Sequence, residues 1–448
     1  MPSADRTAAP VDVGRLIDDG AWSGYQQGLV ALTALAIVFD GADIQLAGLA
    51  VPAMMAEWGE PRGAFAPVLA SGLAGMMIGG ALGGVAGDRV GRKTALAGSL
   101  IAFGLLTLAI IFVDDLATLA VLRFLAGLGF GGTVPNAAAL ASEYVPARHR
   151  PFAVTLTIVC VPLGGTLAAL VASATLPAFG WRALFAIGGA MPLLVALVLI
   201  AVLPESPRYL ARHRARWPEL TRILRRAGHD VPPDAAFAEA DSAPVKRPSP
   251  AALFAPHLRR DTAAIWVAFV SCLLAVYLGF NWVPSMLTGA GLDVASASAG
   301  LAAFNFGGVG GAIAGALAIS RFGSRGTMIG MAAGAVAGAL ALSAMRITGA
   351  SGPAVVLMLG IVGSLINAVQ TTMYALAAHV YPTAVRATGV GSAAAVGRLG
   401  AIASTYAGAA ALEAGGTRLF FWSIALAMLV AAAALGLLRH HIPRSPAG

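Results

Sequence analysis

The sequence is short of charge. Only 11% of its 448 residues are Asp, Glu, Lys or Arg, against about a quarter in an ordinary soluble domain. So few polar side chains cannot cover a water-facing surface of this size. With 58% hydrophobic residues and a mean hydropathy of +0.80, lipid has to be the solvent for most of the chain. Cysteine is scarcer still. Cys160 and Cys272 both lie inside apolar runs, which argues against a disulfide framework, a zinc site or thiol chemistry. A nucleotide-binding loop of the Walker type is also lacking: the glycine-rich stretch Gly127 to Gly132 lies inside an apolar run with no following Lys-Ser/Thr, which disfavours a hydrolase or an ATP-driven pump. Residues 1–23 are polar and mixed in charge, without the basic-then-apolar order of a secretory leader.

What fills the chain instead is a series of apolar runs. A bilayer core takes about 20 apolar residues per helix, and twelve runs of that length begin near Tyr25, Ala66, Thr94, Leu116, Phe152, Arg182, Thr262, Ala297, Gly326, Ala354, Thr388 and Leu419. The expected architecture is an all-α membrane protein of twelve transmembrane helices. Its parts are an N-terminal tail over 1–23, a six-helix bundle over 24–203, a central loop over 204–260, a second six-helix bundle over 261–438 and a tail over 439–448. With the N-terminus inside, 23 of the 29 Lys and Arg residues fall in inner segments and four in outer loops, while Arg123 and Arg398 lie within spans. That asymmetry sets both termini and the central loop on the cytoplasmic side. It also explains the net charge of +8 without any nucleic acid. The central loop is Arg-, Pro- and Ala-rich and reads as a solvated tether with a short amphipathic helix around Leu220 to Arg226; contact with anionic lipid is the alternative.

The two halves repeat. A shift of 236 places Glu143-Tyr-Val-Pro146 over His379-Val-Tyr-Pro382, Arg150 over Arg386, and Gly180-Trp-Arg182 over Gly416-Thr-Arg418. A shift of 232 places Asp88-Arg89-Val-Gly91-Arg92-Lys93 over Ser320-Arg321-Phe-Gly323-Ser324-Arg325. Two pseudo-symmetric six-helix bundles around a central site form a transporter architecture. The loop from Gly84 through Asp88, Arg89, Gly91, Arg92 and Lys93 combines a tight turn with an acid that can accept from a neighbouring helix end or pair with an arginine. It reads as a conformational latch, with Glu143 and Arg386 as further gating candidates. Ser320 stands where Asp88 does in the copy, so the second latch should be weaker.

This loop resembles the signature loop of the major facilitator superfamily, and Leu203-Pro-Glu-Ser-Pro-Arg208-Tyr resembles a stretch shared by several of its branches. Phe39-Asp40-Gly-Ala-Asp43 in the first span is similar to the Asp-Gly-x-Asp signature of the aromatic acid:proton symporters, the 4-hydroxybenzoate/protocatechuate-type transporters. Arg123-Phe-Leu-Ala-Gly127-Leu-Gly129, Asn281-Trp282-Val-Pro284 and Gly397-Arg398-Leu-Gly400 look like that branch's fourth, seventh and eleventh spans. A sugar porter is expected to end its twelfth span on a Pro-Glu-Thr-type motif, where this chain has Ile442-Pro443-Arg444-Ser445. The resemblance implies proton-coupled uptake of a small aromatic carboxylate such as a hydroxybenzoate by a monomer in the inner membrane, with no cofactor and no enzymatic activity. Transport of another metabolite, or drug export on the same fold, remains the alternative.

Independently of family, ionisable residues deep in a span are costly and functional by default. Asp40 lies about 15 residues into the first span, or about 22 Å, which places it in the outer half of the bilayer one turn from Asp43 and on the same face. These two acids are the proton-carrier candidates, and Arg123, at comparable depth, is their candidate counter-charge. Arg398 or Arg123 is the candidate receptor for a substrate carboxylate, since a planar guanidinium suits bidentate pairing. None of the seven histidines lies at that depth. Asn136, Asn281, Trp282, Asn305, Asn367, Gln370 and Tyr374 complete the candidate binding residues, with interhelical hydrogen bonding as the simpler role for the neutral polar ones. The glycine series Gly75, Gly79, Gly83, Gly87 and Gly307, Gly311, Gly315 marks close helix contacts that slide during a transport cycle.

Overall fold

In the computed structural model, residues 10–232, 235–238, 250–382 and 385–444 are described; parts of the two tails and of the central segment lie outside them. Ten helices are long and apolar enough to cross a membrane. In the first half these are α2 (Gly24–Trp58), α3 (Ala66–Val90), α4 (Arg92–Ala109), the pair α5 (Leu116–Gly131) and α6 (Thr133–Tyr144), and α7 (Arg150–Val202). The second half holds α10 (Arg259–Gly289), α11 (Val294–Phe322), α12 (Ser324–Ala344), α13 (Gly352–Val380) and α14 (Arg386–Leu437). Two of the ten are double. The helix α7 breaks at Gly180 (φ 73°) and α14 at Gly416 (φ 59°), which divides each into two spans and gives the twelve expected. The breaks stand at the positions the repeat superimposes, as do the left-handed Gly91 (φ 101°) and Gly323 (φ 80°). A side chain at any of these positions would strain the backbone.

Local chemistry sets the helix starts. Ser23 caps α2 in a capping box with Gln26, Asp115 accepts from the Thr118 N–H at 2.8 Å at the head of α5, and Asp293 does the same for Ser296 at the head of α11. Within each half the glycine series lets helices meet backbone to backbone. A Cβ on Gly75 or Gly79 would lie 2.1 or 2.2 Å from carbonyl oxygens of α5, and one on Gly307 or Gly311 would lie 2.1 or 2.0 Å from those of α13. These contacts join helices of the same half, so they hold each half together rather than forming the surface between the halves.

The segment expected to be a tether differs. The helices α8 (Pro207–Ala211) and α9 (Trp217–Arg226) lie within it. Leu210, Leu220, Ile223, Leu224 and Phe237 form a separate apolar cluster with Val13 and Ile17 of α1 (Val13–Asp18). A short parallel pairing of β1 (Val11–Asp12) with β2 (Phe237–Ala238) completes it. Arg150 at the head of α7 pairs with Asp18, which ties this small unit to the first half. The reason is amphipathic spacing: residues 220, 223 and 224 share one face of α9, and the N-terminal segment supplies the apolar surface that covers it.

Candidate functional site

The described N-terminal segment, tied by Asp18 to Arg150, and the C-terminal segment, tied by Ile442 to Ser324, lie with the Asp88 loop at one end of the helices, the basic face. The two halves meet over the other part of their length. The residues 43–51 of α2 and 278–287 of α10 are buried without interruption, and Gly48 approaches α10 so closely that a Cβ would lie 2.7 Å from the Phe280 carbonyl oxygen. At mid-depth Arg398 of α14 reaches across to α3, where its Nη1 donates to the Met76 carbonyl at 3.1 Å. Gly84 continues the face of Met76 and Gly80, Gly391 continues that of Arg398 by helical spacing, and a Cβ at either would meet nothing within 4 Å. At neither position is a Cβ packed against the other half, in contrast to the uninterrupted burial of residues 43–51 and 278–287.

The four deep charges fall into two unlike pairs. Asp43, wholly buried, is fully engaged: its Oδ2 accepts from Arg123 Nη1 at 3.3 Å and its Oδ1 from the Thr107 hydroxyl of α4 at 3.1 Å. A second Arg123 nitrogen points at the Asp43 carbonyl at 3.5 Å. Asp40 is equally buried, and no hydrogen bond of ordinary geometry reaches its carboxylate oxygens among the described residues; the Thr133 hydroxyl, also without such a bond, lies close enough to act on it. Arg398, of the other half, is near enough to act on Asp40 through its charge and makes no ion pair among the described residues. Of Arg398's five N–H donors one is used by Met76. Asp40 is the seventeenth residue of the 35-residue α2, which starts at Gly24, one residue from the expected start, and runs on to Trp58, so Asp40 lies at mid-helix.

Around Arg398 the second half contributes Tyr277 and Tyr374, both within reach of its charge. Phe269 packs edge-on to Tyr374 at 5.2 Å and Phe280 edge-on to Tyr277 at 5.4 Å. Gln370, one turn from Tyr374 on α13, has a buried Oε1 without a partner. Arg398, Gln370, Tyr374, Asp40 and Tyr277 thus form an aromatic-walled polar site between the halves.

The other candidates lie elsewhere. Asn305 forms a reciprocal amide pair with Gln45 (2.8 and 2.7 Å), both wholly buried, and this pair joins α11 to α2 across the halves. Trp282 and Asn281 face α14: the indole N–H donates to the Ser404 carbonyl at 3.2 Å, and Asn281 contacts the Ser404 hydroxyl at 3.5 Å. Asn367 donates to its own helix at Gly363 and packs on Gly308. Asn136 goes with the Asp88 loop, donating to the Gly83 and Gly132 carbonyls at 2.9 and 2.8 Å.

At the basic face Arg92 bridges Asp88 and Glu143, the latter at 3.8 Å, and also points at the Gly84 carbonyl. Glu143 accepts from the Ser206 hydroxyl. The wholly buried Glu205 receives the Lys93 N–H at 2.9 Å where Gly91 leaves room for it, while Lys93 Nζ donates to the Ile200 carbonyl at 2.8 Å and the Arg89 carbonyl lies 3.5 Å from the Tyr209 hydroxyl. Arg386 of the other half donates to the Tyr381 carbonyl at 3.4 Å, and Ser320 turns its hydroxyl back to Leu317 of its own helix. The Asp88 network lies wholly within the first half.

Tyr277, Thr107, Thr133 and Gln45 escaped the sequence reading, and Glu205 entered it only as part of the Leu203–Tyr209 stretch. Gln45 carried a signal, an amide two residues past Asp43 in an apolar span. The hydroxyl residues carried none.

Residues 33–405 match the Major Facilitator Superfamily. Over 95% of its length the chain is 32% identical to a gallate transporter of Pseudomonas putida, covering 95% of that protein. It is 36% identical to the 4-hydroxybenzoate transporter PcaK of Acinetobacter baylyi, over 95% of this chain and 92% of that one. Among solved structures, the D-xylose-proton symporter superimposes with a TM-score of 0.71 at 18% identity over 94% of this chain and 99% of that one, a likeness of fold alone.

Proposed function

The chain belongs to the Major Facilitator Superfamily, in the branch of the aromatic-acid transporters, and on that premise we propose that it takes up a small aromatic carboxylate of the hydroxybenzoate kind together with protons. The observation that carries this reading is the inequality of the two deep pairs: Asp43 and Arg123 are closed on each other, whereas Asp40 and Arg398 are unspent and belong to opposite halves. Arg398's free donors receive the substrate carboxylate as a bidentate pair, and the tyrosines and phenylalanines flank its ring. Asp40 is the proton carrier. A substrate anion and an ionised Asp40 would repel each other in a site of low dielectric constant, so protonation of Asp40 favours substrate binding. By linkage, substrate favours protonation to the same degree.

Asp43, with Arg123 and Thr107, supports the carrier by fixing the neighbouring turn of α2. The Asp88–Arg92–Glu143 network gates the basic face, which the bias of 23 of 29 basic residues puts on the cytoplasmic side. The protein works as a monomer in the bacterial inner membrane.

Uptake of radiolabelled aromatic, aliphatic and sugar substrates, with and without an uncoupler, tests the reading. Uncoupler-sensitive uptake confined to aromatic carboxylates is expected, and uptake of sugars alone contradicts it. Arg398→Lys should raise the apparent KM at least tenfold with unchanged amounts in the membrane, since an ammonium cannot reproduce the planar fork; an unaltered KM removes Arg398 from the carboxylate role.

A further inference from the structure

At the end opposite the basic face, where α2 and α10 meet, one turn of chain also reaches across the halves. Arg62 and Gly63 begin the turn Arg62–Phe65 that leads from α2 into α3, and these adjacent residues reach two helices of the other half. Arg62 Nε donates to the Ser285 hydroxyl at 3.1 Å and Nη2 to the Ser285 carbonyl at 3.0 Å, both on α10. The Gly63 N–H donates to Glu413 Oε1 at 2.8 Å, on α14 three residues before its break at Gly416. The geometry is particular. The arginine fork is spent on neutral oxygens of one serine, while the glutamate charge is spent on a backbone N–H; a Cβ on Gly63 would lie 2.9 Å from that carboxylate. A pocket of about 710 Å³ beside the turn, lined by Pro52, Met55, Arg62, Ser285 and Leu292 among others, gives water a path to it.

We propose that this turn is the lock of the closed face: its three bonds exist only while the halves meet there, and their strength sets the balance between the two openings of the molecule. The proposal is independent of which substrate is carried. It differs in place and chemistry from the Asp88 network, which lies at the other end and within one half. Loss of a hydrogen bond to a charged group shifts a two-state balance by about tenfold or more. Glu413→Ala removes such a bond, Arg62→Ala removes both bonds to Ser285, and Glu413→Gln keeps an acceptor.

Cysteine alkylation reads the balance directly. In a background carrying Cys160→Ser and Cys272→Ser, Val51→Cys reports the closed part, since Val51 is 2% exposed and one turn from Gly48. Gly84→Cys reports the other end, where a Cβ meets nothing within 4 Å. With reagent reaching both faces of permeabilised membranes, Arg62→Ala and Glu413→Ala should each raise the alkylation rate at position 51 about tenfold and lower that at position 84. Glu413→Gln should do so less. Unchanged rates at both positions overturn the proposal. So does a rise at both, which is loosening of the fold and not release of a lock.

Discussion

At the residue scale, the site depends on which buried polar groups are spent. The Gln45–Asn305 pair satisfies two amides that would otherwise be stranded in the core, and Gly165 of α7 lies against it: a Cβ there would come within 2.0 Å of Gln45 Nε2 and 2.7 Å of Asn305 Oδ1. Gly165→Ala should therefore break the pair and lower stability by about 1–3 kcal/mol, seen as a fall in the melting temperature of the purified protein. An unchanged melting temperature would show that the pair can shift aside. The depth of charges in apolar runs was enough to bring Asp43 and Arg123 together on paper. It was not enough to distinguish Asp43 from Asp40, because that distinction comes from Thr107, a neutral hydroxyl on another helix, and from Arg398, which lies 358 positions away from Asp40 in the chain. Asn136 and Trp282 are partnered differently. Each is a binding candidate by type, and each also makes an interhelical hydrogen bond, to the Gly83 and Ser404 carbonyls, the simpler role expected for Asn136.

At the element scale, length and hydropathy made the spans legible. Their starts fall within a few residues of the observed helices because lipid tolerates no unpaired backbone and so fixes where apolar helices begin and end. The two long helices are the instructive cases. Gly416 has φ 59° and ψ −147°, a region open essentially to glycine, and a Cβ there would meet nothing within 4 Å. Gly416→Ala should thus cost about 1–3 kcal/mol from backbone strain alone. Gly84→Ala, helical and equally uncrowded, should be neutral or slightly stabilising. Equal melting temperatures for the two variants would mean that the break is not needed. The central segment was legible as a helix but not as a packed unit, since its partners Val13 and Ile17 stand about two hundred residues earlier. Ile223→Asp should bury a charge in that cluster and expose the segment to protease in intact protein, while Arg222→Asp, on the exposed face, should leave it protected.

At the scale of the whole molecule, the internal repeat gives two similar halves, and transport needs them to differ where they meet. The halves share left-handed glycines at equivalent positions. The Asp88–Arg92 pair, by contrast, has Ser320 in place of its acid in the second half, and Arg398 acts on Asp40 through its charge from the opposite half without closing into an ion pair. An unspent acid and an unspent base across a moving interface give substrate and proton a shared reason to be bound in the same state. The most direct test is accumulation of radiolabelled 4-hydroxybenzoate in cells bearing the wild-type protein, Asp40→Asn or Asp43→Asn, with exchange of preloaded substrate as the companion assay. The account predicts that the wild type concentrates the substrate until an uncoupler is added. Asp40→Asn should still exchange substrate across the membrane but no longer concentrate it, and Asp43→Asn, having lost its pairing with Arg123, should lose both activities. Accumulation by Asp40→Asn at the wild-type level, still abolished by the uncoupler, would contradict the account.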